Sequence, residues 1–374
     1  MKYNSFRFDQ ITINCDKKRI PLSSIERAKR QGIYRYYGAQ GVIDHIDDYI
    51  FDGTYMLIAE DGENLKSKKQ NIAQLVTGKF WVNNHAHIIQ SNESCDLRFL
   101  YYLINSIDLS GYITGSAQPK LSQNNLNTLV LQIPELIIQQ KIVGILSSLD
   151  DKIELNNRIN ENLEQQASLL FNQWLKDCTE SITIGELSSN ILDYSPVSNE
   201  MVRLLNSSDV TEGIFPFSPF VPNKKLKGHF KKHFKFGDIL YSEIRPRNHH
   251  YGLVLFDASE YIASTRLMVI RAIQEKVSPF LLYQYLLLPD VEAEFTLKTE
   301  SRSGTFPQGN YADMATIAVP YVPLELQVSI SNTLSQFRYM IVLNQLENQK
   351  LAELRDSLLP RLMSGELDVS DIDL

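Results

Sequence analysis

The side chains with the most chemistry to offer are cations and amides, and they fall in four groups. Lys224, Lys225, Lys227, Lys231, Lys232 and Lys235 run into Arg245 and Arg247, opposed only by Asp238 and Glu243. Lysines at that density, interleaved with Phe230, Phe234 and two histidines, suit phosphate oxygens, where affinity comes mostly from released counterions. A solvated charged loop has the same composition. Arg245 and Arg247 flank Pro246, and their guanidinium forks fit guanine O6 and N7 in a major groove; ordinary surface arginines are the competing reading. A third group is a pair of small-residue loops, Ser116, Gln118 and Lys120 with Gln123, and Arg302, Ser303 and Thr305 with Gln308. Gln and Arg read adenine and guanine edges, and small residues let a backbone approach closely, although such a turn could equally just close a domain. The fourth group is Tyr34, Tyr36, Tyr37 and Gln40 with Lys66, Lys68 and Lys69. Its lysines suit phosphates better than its tyrosines suit bases, because the tyrosines also fit a core.

Catalytic chemistry is missing from the pattern. The chain has no Gly-rich phosphate loop ending in Lys-Ser or Lys-Thr and no Gly-x-Gly-x-x-Gly. It lacks an Asn/Asp-Pro-Pro-aromatic motif, and no acid-x-Lys pair follows Pro289-Asp290. Cys15, Cys95 and Cys178 are far apart with no His at metal-ligand spacing, which predicts free thiols and no metal site.

The elements that must position these groups begin with a long helix from Gln139 to Trp174. Apolar residues recur at Ile142, Leu146, Leu149, Ile153, Leu163, Ala167, Leu170 and Trp174, alternating steps of four and three, the seam of a coiled coil. Asn156 and Asn160 interrupt it. The pattern returns 188 residues later at Ile330, Leu334, Phe337, Ile341, Leu351, Leu358 and Leu362, interrupted by Asn344 and Asn348 at the same steps. Pro134 and Pro323 stand upstream of the two copies. Matching interruptions in a matching seam imply a duplication. Antiparallel pairing would bring Asn156 to Asn348 and Asn160 to Asn344 and fix the register.

Around the helices, β-type runs and turn signals alternate. Tyr34–Tyr37, Tyr49–Phe51, Tyr55–Ile58, Phe80–Val82 and His87–Ile89 predict strands, with Asp52-Gly53 as a turn and Asp96–Ile107 as a helix. The order returns with Asp238–Tyr241, Leu253–Leu255, Tyr261–Ala263 and Met268–Ile270, and Pro279–Leu288 takes the place of the helix. Ile182–Leu187 reads as an echo of Ile20–Ile25. The predicted class is α+β: two similar α/β domains (1–133 and 178–322) separated by two long antiparallel helices (134–177, and 323–374 with an acidic tail) in a coiled coil, with an internal pseudo-two-fold repeat.

Here a resemblance enters. The segments GSAQPKL, PELIIQQKIVGILSSLDDKIELNN and PLELQVSISNTLSQF with LLPRLMSGEL, in this order, resemble the specificity subunit of type I restriction-modification enzymes. The stretch YRYYGAQGVIDHIDDYIFDGTYMLIAEDG is similar to a target-recognition domain of that family. The resemblance implies a non-catalytic subunit that reads a split target in double-stranded DNA, one half-site per domain. It also implies two methyltransferase subunits and a motor-nuclease subunit as partners, with S-adenosylmethionine on the methyltransferase and no cofactor here. A helix from Gln139 to Trp174 would span roughly 54 Å, so half-site centres about one DNA turn, roughly 34 Å, apart are expected. Acidic outer positions (Asp150, Asp151, Glu154, Glu161, Glu164) and off-seam Ile145, Leu155, Ile159 and Phe171 would dock the methyltransferases. The alternatives are the recognition module of another restriction-modification type, or a coiled-coil scaffold presenting two sheet domains to a protein or carbohydrate.

Composition fits these expectations. A chain of 374 residues, 43% hydrophobic and 22% charged, suits two or three globular domains. Its net charge of −7 argues against indiscriminate coating of nucleic acid and for a polarised surface, basic on one face and acidic along the helices and the tail from Glu366. The polar start and the lack of any run of roughly eighteen apolar residues predict a cytoplasmic protein with no membrane contact.

Overall fold

The computed structural model describes residues 2–67, 70–115, 118–195, 198–216, 218–224, 226, 228–300 and 308–372. Two long helices dominate, Leu136–Leu175 and Leu324–Ser364. Neither they nor any other helix among the described residues is long and apolar enough to cross a membrane. The residues divide into two compact units, Met1–Ile153 with Lys350–Leu374, and Glu154–Gln349. Each unit thus takes part of each long helix along with one domain: Ile142, Leu146 and Leu362 join one core, and Ala167, Phe171, Ile330 and Leu334 join the other.

In the first unit the strands are β1 (Tyr3–Arg7), β2 (Thr12–Asn14), β3 (Gln31–Gly38), β4 (Gly41–Ile46), β5 (Phe51–Ala59), β6 (Ala73–Val82), β7 (Ala86–Ser91) and β8 (Val130–Pro134). They form a six-stranded sheet, β2-β7-β5-β6-β3-β4, and a separate pair, β1-β8. Helix Leu97–Ser106, capped by the Asp96 carboxylate on the Arg98 and Phe99 amides, buries Phe99, Leu100, Leu103 and Ile104 against the sheet. Ile142 and Leu146 of the first long helix join this core, as do Leu362, Met363 and Val369. The acidic tail is therefore folded as far as Ser370: Val369 is buried, and the Lys141 ammonium donates to the Ser370 carbonyl at 2.6 Å.

The expected turn at Asp52-Gly53 lies inside β5. Gly53 (φ +126°) faces Gly78 (φ +95°) across the β5–β6 ladder, and two residues without a Cβ let the strands coil there without breaking. Tyr49–Phe51 accordingly leads into the strand that contains Tyr55–Ile58.

The second unit repeats the frame. Its strands are β9 (Glu180–Thr183), β10 (Ser188–Asn190), β11 (Met201–Leu205), β12 (Phe220–Pro222), β13 (Phe230–Lys232), β14 (Ile239–Ser242), β15 (Tyr251–Leu253), β16 (Tyr261–Ser264), β17 (Leu267–Ala272) and β18 (Ala318–Tyr321). The pair β18-β9 matches β8-β1, and β10-β17-β14-β15 matches β2-β7-β5-β6. The copies diverge beyond that: β12-β11-β16-β13 form their own sheet where the first unit extends one sheet with β3 and β4. Helix Ile184–Leu187 follows β9 as Phe8–Ile11 follows β1, and both pairs of end residues are fully buried. The repeat of Ile182–Leu187 is thus the start of the chain, not Ile20–Ile25; a short apolar run carries too little pattern to tell the two apart. Pro289-Asp290 opens a helix, Pro289–Glu300.

Within this unit the two half-helices run antiparallel. The Asn156 amide donates to the Asn348 side-chain oxygen at 2.8 Å, and Asn344 donates to Asn160 at 2.8 Å. Arg338, 5% exposed, forms a two-pronged ion pair with Glu164 and lies 4.7 Å over the Tyr283 ring. The seam closes on Phe171 rather than Leu170, which is 39% exposed. Phe171 meets Tyr285 edge-on at 5.2 Å; neighbouring helix positions point about 100° apart, so only one of the two can face that core. Phe171 is thereby removed from the surface expected to dock partners, whereas Leu155 and Ile159 remain exposed. Cys15 and Cys95 are buried and Cys178 is half-buried, all as free thiols.

Candidate nucleic-acid interface

In the second unit, the connection from β14 to β15 carries both arginines. Pro246–Asn248 form a tight 3-10 turn whose flanks, Arg245 (φ 48°) and His249 (φ 54°), are left-handed. Glu212 (φ 48°) is the one other non-glycine residue with positive φ among the described residues. It meets the same turn, its amide donating to the His249 carbonyl at 2.9 Å and its carboxylate lying 3.0 Å from His249 Nδ1. Glu292, on the helix Pro289–Glu300, lies 3.1 Å from Nε2. The hydrogen bond with Glu212, together with the Glu292 charge, raises the His249 pKa despite some burial. Arg247 pairs with Glu300 at 3.4 Å. Arg245 through Asn248, with Thr299 and Glu300, line a cleft of about 290 Å³. Gln308 lies against the base of this turn, bridged to Ile244, with the Gly309 amide donating to the Glu243 carbonyl at 2.9 Å.

The first unit builds the same junction from other residues. Here β5 and β6 take the places of β14 and β15, and their connection carries Lys66. Lys120 bridges to Asp61, and the Leu121 amide donates to the Glu60 carbonyl at 2.8 Å, the counterpart of the Gly309 bond. Gly115 (φ +84°) turns the loop beneath, where a Cβ would meet the Gln118 carbonyl oxygen at 2.3 Å. Gln40, exposed after β3, reaches Asn64 of the same connection at 3.5 Å. A charged network fixes the junction. Glu60 pairs with Arg19 (3.0 Å) and Lys120 (3.2 Å), while His87 joins Asp16 (2.6 Å) to the Leu121 carbonyl (2.8 Å). Burial alone would raise the Asp16 and Glu60 carboxyls, but their hydrogen bonds, chiefly from His87 to Asp16 and from Arg19 to Glu60, hold both below the usual range.

The family model for the type I restriction modification DNA specificity domain matches residues 3–165 and 213–355. The chain belongs to this family. A putative type I restriction enzyme specificity subunit of Haemophilus influenzae is 33% identical over 141 residues, 38% of this chain and 36% of that protein. The HindI specificity subunit of the same organism is 34% identical over 179 residues, 47% of this chain and 39% of that one. The chain thus spans well under half the length of these two relatives. The MjaIX specificity subunit of Methanocaldococcus jannaschii is 24% identical over 305 residues, 73% of this chain and 70% of its own length. In fold, the chain is similar to the S subunit of a type I restriction-modification system from M. genitalium, with TM-score 0.66 and 15% identity, covering 97% of this chain and 96% of that one.

Within this specificity-family fold, the expected contact residues part company. Gln40, Lys66, Gln118, Lys120, Lys224, Lys231, Arg245 and Arg247 are exposed, and Gln308 is half-buried. Lys68, Lys69, Ser116, Lys225, Lys227, Arg302, Ser303 and Thr305 lie outside the described residues. Two expectations are corrected. Tyr36 is fully buried: its hydroxyl accepts from the Leu22 amide at 2.9 Å and its ring lies under Arg27, so it is core. Lys232 is 3% exposed and donates to the Leu267 carbonyl at 2.7 Å. Strand alternation along β13 turns Phe230 and Lys232 inward and Lys231 outward. Burial lowers the Lys232 pKa, and Glu243 at 3.6 Å offsets part of that. The basic run is also not one continuous strip, because Lys224 follows β12 and Lys231 lies on β13, opposite edges of one sheet.

Sequence reasoning missed Glu212, His249 and Glu292, since no local pattern marks a residue whose role is to hold a turn made elsewhere. It also grouped Lys66 with Tyr36 rather than with Lys120. Tyr36→Phe tests the reassignment: it is expected to cost about 1 kcal/mol through the orphaned Leu22 amide and to leave DNA affinity unchanged, read by denaturant titration and fluorescence anisotropy.

Proposed function

We propose that the chain is the non-catalytic DNA-recognition subunit of a type I restriction-modification complex, reading a bipartite target with one half-site per domain. The observation that carries this reading is the repeated junction: in each unit an exposed basic connection, bearing Lys66 or Arg245 and Arg247, sits against an equivalent loop end, Lys120 or Gln308. Lysine and arginine there supply phosphate contacts, and the arginine forks also suit guanine edges. Two methyltransferase subunits would carry S-adenosylmethionine and perform adenine methylation, docking on the exposed helix faces around Leu155 and Ile159. A motor-nuclease subunit would complete the complex in the cytoplasm. Methylation mapping by single-molecule sequencing, in cells expressing the chain with its methyltransferase, tests the reading. Arg245→Ala with Arg247→Ala is expected to relax or abolish recognition of one half-site and leave the sequence of the other intact. Unchanged recognition of both half-sites, or an absence of DNA binding by the wild-type complex, would overturn it.

A further inference from the structure

We propose that His249 is the positioning residue of the second reading turn: held between Glu212 and Glu292, its protonated ring fixes the strained backbone that presents Arg245 and Arg247, so DNA affinity falls when the ring loses its proton. This rests on the reading of that turn as DNA-contacting.

The backbone of this turn is strained. Glu212, Arg245 and His249 are the non-glycine residues with positive φ among those described, and all three meet at this turn. Side chains rarely adopt that region, so such conformations persist only where surrounding contacts over-determine them. The contacts come from separate elements. The Glu212 amide donates to the His249 carbonyl at 2.9 Å, the His249 amide donates to Pro246 at 2.9 Å, and the two carboxylates lie 3.0 and 3.1 Å from Nδ1 and Nε2.

The ring is held from both sides. An ionised carboxylate only accepts, and a neutral imidazole has one N–H, so both contacts are hydrogen bonds only with the imidazolium. Removing one proton sets a ring lone pair against a carboxylate oxygen and opens one arm of the clamp. The other polar groups around the ring have partners of their own or stay neutral. Arg245 and Arg247 belong to the same turn, the latter paired with Glu300. His250 is bonded to the Val210 carbonyl at 2.9 Å and faces Thr211 at 3.2 Å. From β15, Tyr251 has its ring 6.0 Å away and its hydroxyl pushed up to about 12 by burial; Tyr241 on β14 and Tyr283 are also raised by burial. These tyrosines stay neutral while a histidine titrates. Because the carboxylates raise the His249 pKa, the clamp is complete below the ordinary histidine value near 6.5 and is lost as pH rises through the raised value.

The test is binding of the full chain to a fluorescein-labelled duplex carrying the mapped target, from about pH 6 to about pH 9 at constant salt. Wild-type affinity is expected to fall roughly three- to tenfold more across that window than the affinity of His249→Gln. The salt slope should be unchanged, since no phosphate contact is removed. Glu292→Gln, with one carboxylate gone, should move the transition to lower pH. If Arg245→Ala weakens binding while His249→Gln keeps the wild-type pH profile, the positioning role is overturned and the DNA-reading turn stands. If Arg245→Ala has no effect on binding, the reading of the turn fails and this proposal fails with it.

Discussion

Glu164→Ala is expected to destabilise the second unit by about 2–3 kcal/mol, seen as a lower denaturant midpoint for the full chain. Arg338 is 5% exposed, and Glu164 is its two-pronged partner. Removing the carboxylate leaves a guanidinium buried beside Tyr283 and Ile341 with no other ion-pair partner among the described residues. The usual cost of such an orphan is about 3–5 kcal/mol; the Glu164 side chain is 37% exposed, so water reaches the site and the cost falls to the bottom of that range or just below it. Two comparisons isolate the cause. Glu161→Ala, one turn away and exposed, should change stability by less than about 0.5 kcal/mol. Glu164→Met with Arg338→Met should recover most of the loss, because an apolar pair needs no compensation. Equal losses in Glu161→Ala and Glu164→Ala would refute the account.

The second large effect concerns the asparagines. Asn156→Leu with Asn348→Leu is expected to leave the chain folded, at equal or slightly higher stability, while the helix register loosens. Asn156 is 1% exposed, donates to both Asn348 and Glu347, and has a side-chain oxygen with no partner among the described residues. Such a group costs free energy that leucine would not. What it contributes is discrimination: a helix slipped along the seam would set each asparagine against an apolar neighbour. If the domains read two half-sites, methylation mapping of the double variant should show targets with more than one spacer length. A single unchanged spacer, together with an unchanged register in a crystal structure, would count against a register role.

Acid should act on the first unit through Asp16. Its carboxyl is held low by His87 and the Ile88 amide, so its contribution is present above the unfolded value near 3.9 and is lost as pH falls through the lower folded value. Asp16→Asn should flatten that part of the acid unfolding curve.

Sequence alone determined the periodic parts of this protein. The two seams apart from the step at Leu170, their paired asparagines, the duplicated order of strands and helix, and the lack of a catalytic motif in the sequence are all carried by residue type and spacing along the chain. The four segments that resemble specificity subunits were legible for the same reason. Only the tertiary structure decided which cations face outward. Tyr36 and Tyr34 look alike in sequence, yet one is sealed beneath Arg27; Lys231 and Lys232 are adjacent, yet strand alternation points them to opposite sides. It also decided that the connection bearing Lys66 lies beside Lys120, and the one bearing Arg245 beside Gln308, because isolated bridges, Asp61 with Lys120 and Ile244 with Gln308, join segments far apart in sequence. The clamp of Glu212, His249 and Glu292 depends on backbone angles that follow from how three elements meet, and no neighbour in sequence records that meeting.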